Sequence, residues 1–126
     1  MRVISETEER TIRNPAGGYA AALATPTQGS EDISTWRVVM EPGSDAPVHS
    51  IDKEQIWMPI AGAFEFDVDG ETSLVKAGQA LIVPPHVLRS FRAVDTQAQA
   101  LCAMVIGGTG AMPGNDARVP LPWAEK

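Results

Sequence analysis

The chain divides into short runs in which apolar and polar residues alternate, each closed by turn-forming residues, and that punctuation limits it to a sheet protein. The clearest run covers residues 63–68, where Phe64, Phe66 and Val68 alternate with Glu65 and Asp67. A period of two puts the three apolar side chains on one face of a strand. Asp69-Gly70 follows, a pair suited to a type I′ turn because both positions need positive φ, and residues 71–75 return as the partner strand. Residues 33–41 alternate Trp36, Val38 and Met40 against Arg37, Val39 and Glu41. Further strands are expected over residues 19–25, 80–83, 86–93 and 97–106, with a short edge strand over residues 3–5. The cluster Asn14-Pro15-Ala16-Gly17-Gly18 reads as a turn, and Pro84-Pro85 ends the 80–83 run. No stretch carries a convincing amphipathic helix, so the strands and turns indicate an antiparallel sandwich or barrel.

At 126 residues the chain has the length of a single domain. Residues 1–106 are expected to form it, opening with the short edge segment. Residues 107–126 form a Gly/Pro-rich C-terminal tail. Its composition suits loose order; the other reading packs Leu121, Pro122 and Trp123 back on the domain or across a dimer, because an exposed Trp is costly. A net charge of −6 disfavours a nucleic-acid partner, which needs a clustered basic face. No apolar run reaches the length of a membrane span. Cys102 stands alone, so no internal disulfide or cysteine zinc site can form, and a reducing, cytoplasmic setting is expected. The opening MRVISETEER has no apolar signal core.

Two stretches carry a more specific pattern. Residues 43–62, GSDAPVHSIDKEQIWMPIAG, bracket His49 and Gln55 between Gly43 and Gly62. This spacing resembles the first motif of the cupin family, Gly-x5-His-x-His-x3,4-Glu-x6-Gly. In that register His49 keeps its place, Ile51 stands where the second histidine is expected, and Gln55 stands where the glutamate is expected. Residues 78–91, GQALIVPPHVLRSF, resemble the second motif, Gly-x5-Pro-x-Gly-x2-His. Gly78 and Pro84 fit it, His86 takes the glycine position, and Arg89 takes the position of the last histidine. The fifteen residues between the motifs suit one hairpin. The resemblance implies an all-β, antiparallel jelly-roll β-barrel, the double-stranded β-helix of cupins. It also implies a homodimer paired through sheet edges.

A metal-binding cupin offers three histidines and a carboxylate, a set that suits divalent transition metals. Here Ile51 cannot coordinate, Gln55 is a weak neutral donor, and Arg89 is a cation without a lone pair. The resemblance with these departures gives the expectation of a site with no cofactor. The alternative is a divalent transition metal on His49, Gln55 and His86, as in a dioxygenase-like cupin with unusual ligands. Alternation groups His49 with Ile51, Gln55 with Trp57, and Val87 with Arg89 and Phe91. These residues are the expected pocket lining, with Met40 filling a gap beside them. A mostly apolar lining with a few polar groups suits a small molecule. That molecule is polar or anionic, and aromatic or polyketide-like if Trp57 and Phe91 form flat walls.

An inward arginine must be paired or wet. Either an acid of the protein satisfies Arg89, with Glu41, Glu54, Glu65 and Asp67 the candidates, or its fork is open to a ligand carboxylate, enolate or phenolate. Beside that cation, His49 is expected to have a lowered pKa and to serve as a general base. His49 as base, Arg89 as anion stabiliser and Gln55 as orienter form a metal-free site for isomerisation or cyclisation by proton abstraction next to a carbonyl. Binding or sensing without turnover uses the same residues, and the sequence leaves the choice between them open. Cys102 reads as a small buried hydrophobe.

Overall fold

A computed structural model describes residues 1–15 and 17–126. Its strands are β1 (Thr11–Arg13), β2 (Gly18–Ala22), β3 (Ile33–Met40), β4 (Ser50–Ile51), β5 (Gln55–Ala61), β6 (Ala63–Val68), β7 (Glu71–Lys76), β8 (Leu81–Val83), β9 (Arg89–Ala93), β10 (Ala98–Val105), β11 (Thr109–Ala111) and β12 (Val119–Pro120), and a short helix α1 (Pro122–Glu125) closes the chain. Three sheets result, in the orders β1-β2-β3-β10-β5-β8, β7-β6-β9 and β12-β11-β4, and every pairing between these strands is antiparallel. This is an antiparallel jelly roll, in which sheet faces enclose a common core.

The alternation read from the sequence sets the inner faces. In β5, Gln55, Trp57 and Pro59 are buried while Met58 and Ile60 are exposed. In β10, Ala98, Ala100, Cys102 and Met104 point inward and lie across from alternate residues of β3 and β5. The small residues of β10 leave room for the large ones beside them, Trp36 on β3 and Trp57 on β5, both opposite Cys102. Phe64 and Phe66 on β6 are fully buried and meet Trp57 edge-on, with centroids 5.7 and 5.0 Å away. Burying such a side chain contributes about 1.5–3 kcal/mol, so this aromatic cluster anchors the three-stranded sheet on the six-stranded one. Between β6 and β7, Asp69 and Gly70 take φ of 50° and 84°, the two positive values a type I′ turn requires.

Residues 3–5 form no strand. The N-terminal segment is held by side chains instead: Glu6 takes both Nε and Nη2 of Arg37 at 2.6 and 2.8 Å, and the first strand begins only at Thr11. Of the turn cluster at residues 14–18, Ala16 lies outside the described residues, and Gly17 and Gly18 both have positive φ. Residues beyond 106 pack against the domain. Gly110 and Ala111 of β11 pair with Ile51 and Ser50 of β4. Leu121 is 4% exposed, and the buried Ser34 hydroxyl donates to the Ala124 carbonyl at 2.6 Å. Composition suggested loose order here because Gly and Pro break ladders; the hydrogen bonds run to strands far away in sequence, which local composition does not register.

Candidate functional site

A cavity of about 500 Å³ lies inside the barrel. Its deep wall combines β4, β5 and β9 with the loop before β4, which supply His49, Ile51, Gln55, Trp57 and Phe91. Trp36 and Met40 of β3 add to it, and Ala111, Leu121 and Trp123 form a roof. Six sequence-predicted residues therefore meet at one cavity: His49, Ile51, Gln55, Trp57, Phe91 and Met40. Arg89 and Val87 are absent from its lining, and Val87 faces a separate cleft with Phe66, Leu81 and Pro84.

Local backbone geometry explains the placement. His49 and Arg89 exchange backbone hydrogen bonds, 3.0 Å from His49 N to Arg89 O and 2.9 Å in return. Residues paired in this way across an antiparallel bridge share a face, so both side chains turn inward. The imidazole Nδ1 lies 2.7 Å from the Pro47 carbonyl, which can only accept, so Nδ1 carries the proton and Nε2 keeps its lone pair. Burial pulls the His49 pKa below the ordinary imidazole value; the Pro47 contact opposes this and the nearby charge of Arg89 reinforces it. His49 is thus held as a neutral acceptor near pH 7.

Arg89 is 2% exposed and its fork is already occupied. Nη2 donates to the carbonyls of Pro84 at 2.9 Å and Val87 at 3.2 Å, Nε donates to Val87 at 3.3 Å, and Nη1 donates to Gln55 Oε1 at 3.4 Å. Neither sequence expectation for this guanidinium holds. The suggested acids are elsewhere: Glu65 and Asp67 face Arg92, Glu41 accepts from Gln97, and Glu54 is exposed. The fork is not open to a ligand either, because two main-chain carbonyls left by the Pro84-Pro85 break fill it. Burial without a carboxylate pushes the Arg89 pKa down to about 10.

Gln55 connects this cation to the cavity. Its Oε1 accepts from Arg89 Nη1 and, at 3.3 Å, from Trp57 Nε1. Two donors assign that atom as the carbonyl, so Nε2 becomes the amide's outward donor; its one protein contact is the soft Met104 Sδ at 3.7 Å. Among the lining residues predicted from the motifs, His49 Nε2 is thus an acceptor and Gln55 Nε2 a donor, beside the aromatic surface of Trp57 and Phe91. His86 is exposed at φ 71°, and its N–H donates to the Ile51 carbonyl at 2.7 Å. The left-handed turn explains why the motif has glycine there, and it aims the His86 ring away from the cavity. Sequence reasoning missed Trp36, Tyr19, Arg13 and Asn115 as lining residues because their elements are distant from both motifs.

The sequence matches the family model of the cupin domain over residues 36–112, more than half of the chain. The chain belongs to the cupin family. Solved cupins share its fold. An oxalate decarboxylase variant from Bacillus subtilis is 18% identical, with TM-score 0.72, over 82% of this chain and 29% of that one. An RmlC-like cupin from Shewanella frigidimarina is 22% identical, with TM-score 0.64, over 82% and 94%. A salicylate 1,2-dioxygenase variant from Pseudoaminobacter salicylatoxidans is 18% identical, with TM-score 0.71, over 82% and 33%. At these identities the likeness establishes the fold alone, and this chain spans less than a third of the oxalate decarboxylase. No curated protein sequence matches it. No helix among the described residues is long and apolar enough to cross a membrane.

The cupin metal positions can be tested against this chain's own donors. They hold one imidazole, the alkyl group of Ile51, an amide oxygen already taken by two donors, and a guanidinium lodged among carbonyls. His86 is turned outward, so it does not complete the set, and no cluster of three His, Cys, Asp or Glu that could hold a metal occurs among the described residues. This donor set does not fit a transition metal.

Proposed function

We propose that this cupin binds a small ring-bearing molecule in its barrel without a metal, and that His49 moves a proton on it as an isomerase or cyclase. The observation that carries the reading is a pair of polar atoms from one cavity's lining, a lone pair on His49 Nε2 and an N–H on Gln55 Nε2, beside the apolar side chains of Ile51, Trp57 and Phe91. Such a pair suits a hydroxyl or acidic C–H beside a carbonyl. His49 Nε2 takes the proton from the carbon next to the carbonyl, the electron pair moves onto the carbonyl oxygen, and the Gln55 N–H meets that developing charge. Returning the proton at another carbon completes an isomerisation, with no other reactant needed. Arg89 acts through Gln55 here as a positioning residue that fixes the amide's orientation. Trp57 and Phe91, with centroids 4.6 Å apart, supply the flat wall.

Binding without turnover is the alternative, favoured by one observation: all three guanidinium nitrogens of Arg89 are already hydrogen-bonded within the protein, so this cation is not free to stabilise a reacting anion. A free, buried Cys102 supports a reducing, cytoplasmic setting. The exposed Ile82 on edge strand β8 supports a homodimer. The test uses 2-tetralone, a ring ketone with exchangeable protons next to its carbonyl, followed by proton NMR in deuterium oxide. Wild type should accelerate exchange over buffer, and His49→Gln should lose that acceleration while still binding. Binding with no acceleration by wild type would sink the catalytic reading and leave the binding one.

A further inference from the structure

The mouth of the cavity differs from its interior in a way that specifies more of the ligand. Arg13 of β1 and Asn115 both line the cavity and are both exposed, which places them at its opening. Among the described lining residues Arg13 is the only Lys or Arg and none is Asp or Glu, although the whole chain carries a net charge of −6. The guanidinium is held over the Tyr19 ring, 5.3 Å from its centroid, and Tyr19 also lines the cavity. Its one ion pair is Nη2 with Glu8 Oε1 at 2.7 Å, between side chains that are 61% and 78% exposed. A pair so wet is worth little and leaves the remaining guanidinium N–H groups available. Asn115 is oriented as Gln55 is: its Oδ1 accepts from the Ala117 N–H at 2.9 Å, so its Nδ2 is the atom left to donate. The mouth therefore offers N–H donors and a positive charge, whereas the interior side chains carry no formal charge with His49 neutral.

We infer that this mouth is an anion subsite, in which Arg13, with Asn115 on the same cavity, seats the carboxylate or sulfonate of a ligand whose ring body fills the cavity. The inference rests on the proposal that the cavity is the ligand site, and it narrows the ligand to aromatic or polycyclic anions charged at the end away from His49. Carboxylate and sulfonate anions only accept hydrogen bonds, so the Arg13 N–H groups and Asn115 Nδ2 match them, and a guanidinium fork suits both.

The test compares two fluorescent probes that differ only by a sulfonate, 8-anilinonaphthalene-1-sulfonate and the neutral N-phenyl-1-naphthylamine. Each is titrated against wild type, Arg13→Glu, and Ala20→Phe, which fills the cavity from β2. Wild type should bind both, and Ala20→Phe should lose both. Arg13→Glu should weaken the sulfonate about tenfold or more, the scale of a charge-assisted contact, and leave the neutral probe within about twofold. Equal effects of Arg13→Glu on the two probes, or no effect on either, would overturn the anion subsite while leaving the cavity as the ligand site. If neither probe binds wild type, or Ala20→Phe leaves both bound, the cavity reading and this inference fall together. Arg13 is exposed, so circular dichroism of the variant should match wild type and exclude misfolding as the cause.

Discussion

Replacing Gln55 by glutamate puts a carboxylate within reach of a cation that has been buried without one. Gln55 Oε1 already lies 3.4 Å from Arg89 Nη1, and the new side chain has the same shape. At that distance and an effective dielectric of about 20, the attraction is about 5 kcal/mol. Against it stands the cost of burying the carboxylate, several kcal/mol, so Gln55→Glu alone should change stability little at pH 7. The coupling is the informative quantity. Arg89→Met removes a charge whose burial lowers its pKa to about 10, equivalent to about 3 kcal/mol, and this relief offsets the hydrogen bonds lost to Pro84, Val87 and Gln55. In the Gln55→Glu background the same change strands a buried carboxylate. Urea unfolding of wild type, both single variants and the double variant should therefore give a coupling of about 3–5 kcal/mol at pH 7. The coupling should shrink as pH falls through the carboxyl's pKa, because the protonated form no longer attracts the guanidinium. A coupling below about 1 kcal/mol, the scale of an exposed pair, would refute the placement of Arg89 behind Gln55.

Three further outcomes follow from the same geometry. Because the His49 pKa is lowered on folding, the unfolded chain binds more protons between that lowered value and 6.5; stability should rise with pH through this window and be lost on acidification from pH 7 to 5, and His49→Gln should flatten that slope in pH-dependent urea titrations. The triple change Ile51→His, Gln55→Glu and Arg89→His restores the cupin donor set, so calorimetry should show divalent nickel or manganese binding to the variant and none to wild type; equal binding by both would refute the fit argument. Gly62→Ala should destabilise by at least about 2 kcal/mol in thermal unfolding, because Gly62 has φ of 65° and a Cβ there would sit 2.4 Å from the Gln97 carbonyl oxygen.

Sequence legibility followed the range of the interactions involved. The alternation in residues 63–68 predicted β6, and the inward choice of Gln55 and Trp57 on β5 followed from a period of two, because a strand's facing is a local property. Motif spacing brought His49, Ile51 and Gln55 to one cavity, since the short bend between β4 and β5 keeps these residues close in the chain. Arg89 was placed on the inner face but not in its cage. The atoms that occupy its fork are main-chain carbonyls, and no side-chain inventory contains them. The side chains of Glu41, Glu54, Glu65 and Asp67 are therefore not its partners. Arg13 and Asn115 gave no signal because β1 and the segment before β12 reach the cavity through tertiary packing alone. The expected strand at residues 3–5 failed for a related reason: Glu6 finds Arg37, and that ion pair holds the segment without a ladder.

The roof of the cavity and its polar floor come from separate parts of the chain. Ala111, Leu121 and Trp123 cover a space whose acceptor and donor stand on His49 and Gln55, and the two parts of the chain meet across that space, along the short β4–β11 pairing and through Asp52 with Thr109. Ligand shape and reactivity are thus written on different stretches of sequence. On the proposed function, exchanging the roof for one of another contour should redirect the protein to new ring systems while the groups proposed to handle the proton keep their positions, which makes residues 111–123 the natural place to begin altering its selectivity.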